Sequence, residues 1–215
     1  VNRLEKSCCQ LSRNNRQNIF ALKCDIRRFF DSVNQDILLN LIKFKVGDDK
    51  AIWLIEKIIR SFPSGLPLGN VTSQLFANIY LNELDQFVKH NLRVKYYIRY
   101  CDDFIILGDD KDHLLKLISV VGGFIGDKLK LCLHSDKIII RKWHQGVDWL
   151  GYISLPHYRV LRTKTKKRIL KKIGQKYIDW QTGLITEKLY NQSQQSYLGV
   201  LRHCCGHGIE KKMRI

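Results

Sequence analysis

Residues 95–109 read KYYIRYCDDFIILGD. Two runs rich in β-branched and aromatic residues, YYIRY and FIIL, flank Cys101, Asp102 and Asp103, and this predicts a β-hairpin with two carboxylates at its tip. Upstream, IFALKCDI over 19–26 reads as a buried strand that ends on Asp25. If these strands are neighbours in one sheet, Asp25, Asp102 and Asp103 meet at its edge. Three carboxylates so placed would hold hard cations such as Mg²⁺ through oxygen, and two such ions about 4 Å apart clamp the attacking and leaving oxygens of phosphoryl transfer. Acids also serve as ordinary turn and capping residues, and the triplet alone admits that reading. The apolar flanks weigh against it, because adjacent carboxylates in such a setting repel one another and lose solvation, and a cation is the simplest compensation.

Working outward, DSVNQDILLNLI predicts a helix capped by Ser32 or Asn34. Helical periodicity follows over 49–61, with Ile52, Ile55, Ile58 and Ile59 on one face, and over 73–91, with Leu75, Phe76, Ile79, Tyr80, Phe87 and Val88. The stretch between them, SFPSGLPLGN, is a loop in which Gly65 and Gly69 either make an ordinary turn or let backbone approach a substrate closely. Beyond the hairpin come a helix over about 111–129, weakened by Gly122 and Gly123, and short strands near 130–134, 137–143 and 147–154. From His157 onward, 14 Lys and Arg stand against 3 acids, which marks a basic helical module appended to an α+β domain.

The chain has 215 residues, 45% of them hydrophobic, which excludes a disordered tail. Its 37 Lys and Arg against 20 acids leave a formal charge of +17, and a pI near 9.7 points to a polyanionic partner, nucleic acid above all. With the carboxylates, that charge suggests a polymerase or nuclease. Seven cysteines, two pairs of them adjacent, do not form a secreted disulfide framework, so a reducing cytoplasm is expected. No apolar run reaches a membrane-spanning length, and no membrane partner is expected. The only methionine is Met213, so the chain reads as a piece of a longer protein.

These segments, in this order, resemble reverse transcriptases. KCDIRRFFDSV (23–33) is similar to their first catalytic motif, GLPLGNVTSQLFANIYLNELD (65–85) to the template-primer and nucleotide motif, and YCDD (100–103) to the YxDD box. LKLCLHSDKI (129–138) resembles the next motif, VDWLGYIS (147–154) the primer grip, and the basic remainder the helical thumb. The resemblance implies a right-hand α+β fold: a palm of antiparallel sheet and packed helices over 19–156, an α-helical thumb over 157–215, and fingers largely missing, with 1–18 their remnant. It implies RNA-directed DNA synthesis, with two Mg²⁺ (or Mn²⁺) on Asp25, Asp102, Asp103 and the Ile26 carbonyl. It assigns nucleotide binding to Phe30, Leu68, Gly69, Gln74 and Lys137, with Phe30 placed to exclude a ribose 2′-hydroxyl. Template-primer binding falls to Trp149, Leu150, Gly151, Lys164, Lys166, Lys167 and Arg168.

Within the family, Leu68 where most members carry Gln, Gln74 after Ser73, and the segments 147–168 and 196–204 resemble the enzymes of diversity-generating retroelements. That branch implies error-prone copying opposite template adenines. Its implied partners are template RNA, the primer or cDNA strand, dNTPs and a small basic accessory protein. Group II intron and retron-type enzymes are the alternative within the family, and a catalytically silent RNA-binding fragment the alternative outside it. Lys137 contacts or protonates pyrophosphate, or is one innocent base among many; Arg99 alternates along a strand and carries no assigned role. HCCGHG at 203–208 lacks the ligand spacing of a zinc site.

Overall fold

The computed structural model describes residues 1–67 and 69–213. They form two compact units, one over Ile19–Arg141 and the other joining Val1–Asn18 to Lys142–Ile215.

The first unit is built on a sheet of order β2-β3-β1-β4, from β1 (Phe20–Asp25), β2 (Tyr97–Tyr100), β3 (Asp103–Gly108) and β4 (Ile139–Lys142, whose last residue crosses the boundary). β1 and β3 run antiparallel, with Phe20 opposite Gly108 at one end and Asp25 opposite Asp103 at the other. Phe104–Leu107 are all buried, as a central strand covered on both faces requires. With the sheet, α2 (Phe29–Ser32), α3 (Gln35–Lys43), α4 (Asp49–Arg60), α5 (Val71–Gln86) and α6 (Lys111–Leu129) close a core that includes Leu22, Phe29, Leu38, Tyr80, Phe104 and Ile125.

The local chemistry explains the elements. Of the two candidate caps, Asn34 starts α3, its side chain accepting from Ile37 N–H at 3.0 Å. Asp48 and Asp110 cap α4 and α6 in the same way. α6 runs unbroken through Gly122 and Gly123, because its buried stripe of Leu114, Leu117, Val121, Ile125 and Leu129 outweighs their poor helix propensity. The buried Tyr80 of α5 donates to Leu129 O at 2.6 Å and accepts from Asn34 N–H at 3.3 Å, tying three helices together.

Three expectations change. Leu75 is 60% exposed: the buried stripe of α5 runs through Ser73, Phe76, Ala77, Tyr80, Leu81 and Leu84, and Leu75 lies off that phase. The expected strand near 130–134 reduces to one bridge, Ile26 to Leu133. Residues 147–154 form two strands, because Leu150 (φ +51°) and Gly151 (φ +86°) make a two-residue hairpin turn between them.

The second unit holds the sheet β5-β6-β7, from Val147–Trp149, Tyr152–Ser154 and Arg159–Leu161, together with α1 (Asn2–Leu11), α7 (Thr163–Gln181), α8 (Glu187–Leu201) and α9 (His207–Met213). Its helical core includes Leu161, Ile169, Ile173, Leu201 and Met213, with Trp180 stacked on Tyr190 at 5.2 Å. Arg159 fastens α1 to this unit: its guanidinium donates to the Glu5 carboxylate, to Asn2 Oδ1 and to the His203 carbonyl.

Candidate functional site

Antiparallel pairing places Asp25, the last residue of β1, directly opposite Asp103, the first residue of β3. Tyr100 pairs with Asp103 across the β2–β3 hairpin, so Cys101 and Asp102 form a two-residue turn. The three sequence-predicted aspartates thus come together at one end of the sheet. Lys137 Nζ donates to Asp25 Oδ2 at 3.1 Å, and Lys23 Nζ lies 3.9 Å from Asp103 Oδ1, an ion pair too long for a hydrogen bond.

The cluster carries more negative charge than its surroundings balance. Loss of solvent pushes the Asp103 carboxyl above the usual carboxylate range; Lys23 opposes this, while the neighbouring Asp25 and Asp102 add to it. Burial raises Asp102 likewise, with Asp25 contributing and Lys137 opposing. Asp103 Oδ1 is buried and accepts no hydrogen bond. An all-oxygen donor set with surplus charge and an orphaned oxygen fits a hard cation in chemistry. Among the described residues no three His, Cys, Asp or Glu side chains already stand in a ready-made ligand cage. Ile26 is buried, and the bonds around its bridge to Leu133 are made by its neighbours, Arg27 N–H to Cys132 O and His134 N–H to Asp25 O.

Around these acids, Phe30 is half-buried and packs edge-on against Phe29, with centroids 5.3 Å apart. The loop after α4 is drawn against it. Leu66 N–H donates to Phe30 O at 2.7 Å, and a β-carbon on Gly65 (φ +62°) would stand 2.2 Å from that same oxygen. Gln35 Nε2 reaches the carbonyls of Ile59, Phe62 and Gly65, each at 3.1 Å. The close approach seen at Gly65 is to the chain's own backbone. Gly69 has φ +91° with open space about it, Leu68 lies outside the described residues, and Gln74 is exposed on the first turn of α5.

Sequence reasoning passed over Arg99, Asp85 and Asn78. Arg99 forks onto Asp85, with Nε to Oδ1 at 2.8 Å and Nη2 to Oδ2 at 2.7 Å, and its Nη1 reaches Cys101 O at 3.0 Å and Asn78 Oδ1 at 3.3 Å. The signal available was the apolar strand itself, in which Arg99 is the only charge and so needs a partner.

In the second unit, the side chain of Trp149 is buried, while Leu150 and Gly151 form the β5–β6 turn. Gly151 O accepts from Arg162 N–H at 3.0 Å, and Arg162 pairs with Asp148, so the turn lies beside the start of α7. Lys164, Lys166, Lys167 and Arg168 are exposed on the first turns of that helix. The cysteines are free, including Cys204 and Cys205, and burial pushes the Cys8 and Cys24 thiols up to about 12. Among the described residues no helix is long and apolar enough to cross a membrane.

Comparison with known proteins follows the same lines. Residues 2–154 match the family described as reverse transcriptase (RNA-dependent DNA polymerase). The group II intron-encoded protein LtrA of Lactococcus lactis subsp. cremoris is 27% identical over 67% of this chain and 35% of its own length. The putative COX1/OXI3 intron 2 protein of Saccharomyces cerevisiae is 20% identical over 61% of this chain and 23% of its own. The chain therefore spans about a third or less of these two relatives. Among solved structures, apo telomerase from Candida tropicalis superposes with TM-score 0.59 at 15% identity, covering 78% of this chain and 36% of that one. Telomerase from Candida albicans bound to the TWJ fragment of telomeric RNA gives 0.59 at 13% identity, covering 80% and 37%.

Proposed function

Because the chain belongs to the reverse transcriptase (RNA-dependent DNA polymerase) family, we propose that it carries the catalytic centre of an RNA-directed DNA polymerase, with Asp25, Asp102 and Asp103 as its catalytic acids. The observation that carries this reading is the register of β1 and β3, which opposes Asp25 to Asp103 beside a two-residue turn holding Asp102. Asp25, Asp102, Asp103 and the Ile26 carbonyl would hold two divalent cations, Mg²⁺ or Mn²⁺, which when bound supply Lewis-acid activation of the primer 3′-hydroxyl and charge neutralisation at the α-phosphate. The protein's own part is positioning. The sheet holds the carboxylates, Phe30 would exclude a ribose 2′-hydroxyl, and Leu68, Gly69 and Gln74 would contact the incoming dNTP, as the family resemblance implies. Lys137, which donates to Asp25 Oδ2, would contact or protonate the pyrophosphate leaving group. In the second unit, Trp149 anchors the β5–β6 turn from the core, Leu150 and Gly151 present backbone to the primer, and Lys164, Lys166, Lys167 and Arg168 track phosphates. In the right-hand description, 19–156 would be palm, 157–215 thumb and 1–18 part of the fingers; the compact units divide at 141/142, with 1–18 in the C-terminal one.

The test is single-nucleotide extension of a DNA primer on an RNA template by the wild-type chain and by Asp25→Asn and Asp103→Asn. Extension by wild type, lost in both variants while RNA binding persists, is the expected result. Equal extension by wild type and variants would overturn the assignment.

We further propose, on the resemblance carried by Leu68 and Gln74, that the enzyme belongs to the error-prone, diversity-generating branch, which would add a small basic accessory protein to its RNA, primer and dNTP partners. A polar side chain on the incoming nucleotide gives a directional contact, and Leu leaves only shape to discriminate. Leu68→Gln should lower misincorporation opposite adenine; an unchanged error rate would remove this cause. The similarity to LtrA favours a second reading, a group II intron-type enzyme, and accurate copying of adenine by the wild-type chain would support it.

A further inference from the structure

The turn that carries the acid pair is strained. Cys101 has φ +53°, the left-handed region where a β-carbon is disfavoured and where two-residue hairpins ordinarily use Gly or Asn. A residue in such a conformation stays there only when its surroundings over-determine it. Here the restraint is visible: Arg99 Nη1 donates to the carbonyl of Cys101 itself at 3.0 Å. The guanidinium is in turn fixed from α5, by both Asp85 oxygens and by Asn78 Oδ1 at 3.3 Å. Tyr97 completes the set, its hydroxyl donating to Asp85 Oδ1 at 2.8 Å. Arg99 and Asp85 are both largely buried and cancel in charge, so the pair adds no net charge beside the neighbouring acids, and what it supplies there is geometry. Lysine could neutralise Asp85, but its single nitrogen cannot fork the carboxylate and also hold the Cys101 carbonyl.

We propose that Arg99, locked by Asp85 and Asn78 of α5, is a positioning residue that holds Cys101 in its left-handed turn and thereby sets Asp102 and Asp103 for cation capture. The inference rests on reading the three aspartates as a cation site. An ion pair that only glued α5 to the sheet would tie cation affinity to folding stability. A turn restraint makes a different demand: Cys101→Gly, which adopts positive φ without strain, should compensate for loss of the restraint.

The experiment titrates Mn²⁺ alone into the full chain, following free Mn²⁺ by electron paramagnetic resonance and the urea midpoint in parallel. The set is wild type, Asp103→Ala, Arg99→Lys, and Arg99→Lys combined with Cys101→Gly. Expected are loss of binding in Asp103→Ala, an affinity about tenfold weaker in Arg99→Lys, as outer-sphere partners of metal ligands typically give, and recovery of most of that factor in the double variant. Wild-type affinity in Arg99→Lys, or a double variant as weak as the single, would overturn the positioning role. Wild type that binds no Mn²⁺, or that matches Asp103→Ala, would overturn the cation-site reading and this inference with it. Should Arg99→Lys fail to fold, Asp85→Asn, which keeps Arg99 but loosens its fork, carries the same expectations.

Discussion

Asp103 faces Asp25 across the β1–β3 ladder, and its Oδ1 is buried without a hydrogen-bond donor. Its carboxyl is held above the ordinary range, chiefly by loss of solvent. For an acid whose pKa is raised on folding, the stabilising contribution is fully present below the unfolded pKa and is lost as pH rises through the folded one, so near neutrality the charge costs stability. Asp103→Asn should therefore raise the urea midpoint in the presence of EDTA, and Mn²⁺ should stabilise wild type but not this variant; a lowered midpoint in EDTA would contradict that account. Gly65 makes the opposite case. A β-carbon there would meet Phe30 O at 2.2 Å with the backbone at φ +62°, so Gly65→Ala should destabilise by about 2 to 4 kcal/mol, read from urea denaturation. The acids were legible in the sequence because charge among apolar residues is conspicuous. The work of Gln35, Asn78 and Asp85 was not, since each is an ordinary polar residue on a helix until its partner on another element is known.

Among the elements, the hairpin, the buried strand and the helix caps could be read directly, because Asn34 and the apolar runs act over a few residues. The failures were matters of phase and pairing. Leu75 missed the buried stripe by part of a turn, and the 147–154 segment hid a turn because Leu150, a poor residue for positive φ, precedes Gly151. The role of α1 was equally hidden, since it depends on Glu5 meeting Arg159, more than 150 residues later. Arg159 is largely buried, and its guanidinium also serves Asn2 and the His203 carbonyl. Arg159→Met should cost about 2 to 3 kcal/mol, part of the full penalty for breaking a buried pair because Glu5 keeps some solvent. Combining it with Glu5→Gln should cost less than the sum of the two changes; strict additivity in a double-mutant cycle would show that the pair is not coupled.

Taken whole, the molecule joins a mixed unit holding the acid cluster to a unit with a small sheet and three helices after it, and most of the +17 charge lies in the second. Exposed Lys164, Lys166, Lys167 and Arg168 on α7 fit sequence-independent phosphate binding. Replacing all four with Ala should weaken binding to any RNA–DNA duplex and flatten its logarithmic salt dependence by up to about 3; an unchanged slope would remove α7 from the interface. The central claim is that Asp25 and the 102–103 pair hold one cation site. Fe²⁺ in place of Mg²⁺, with ascorbate and peroxide, cuts protein backbone beside bound metal, so mapping the fragments tests that claim most directly. Cleavage at both the end of β1 and the Cys101–Asp103 turn, competed by Mg²⁺ and absent from Asp103→Asn, is the predicted result. Cleavage at only one of the two segments, or a pattern indifferent to Asp103→Asn, would contradict it.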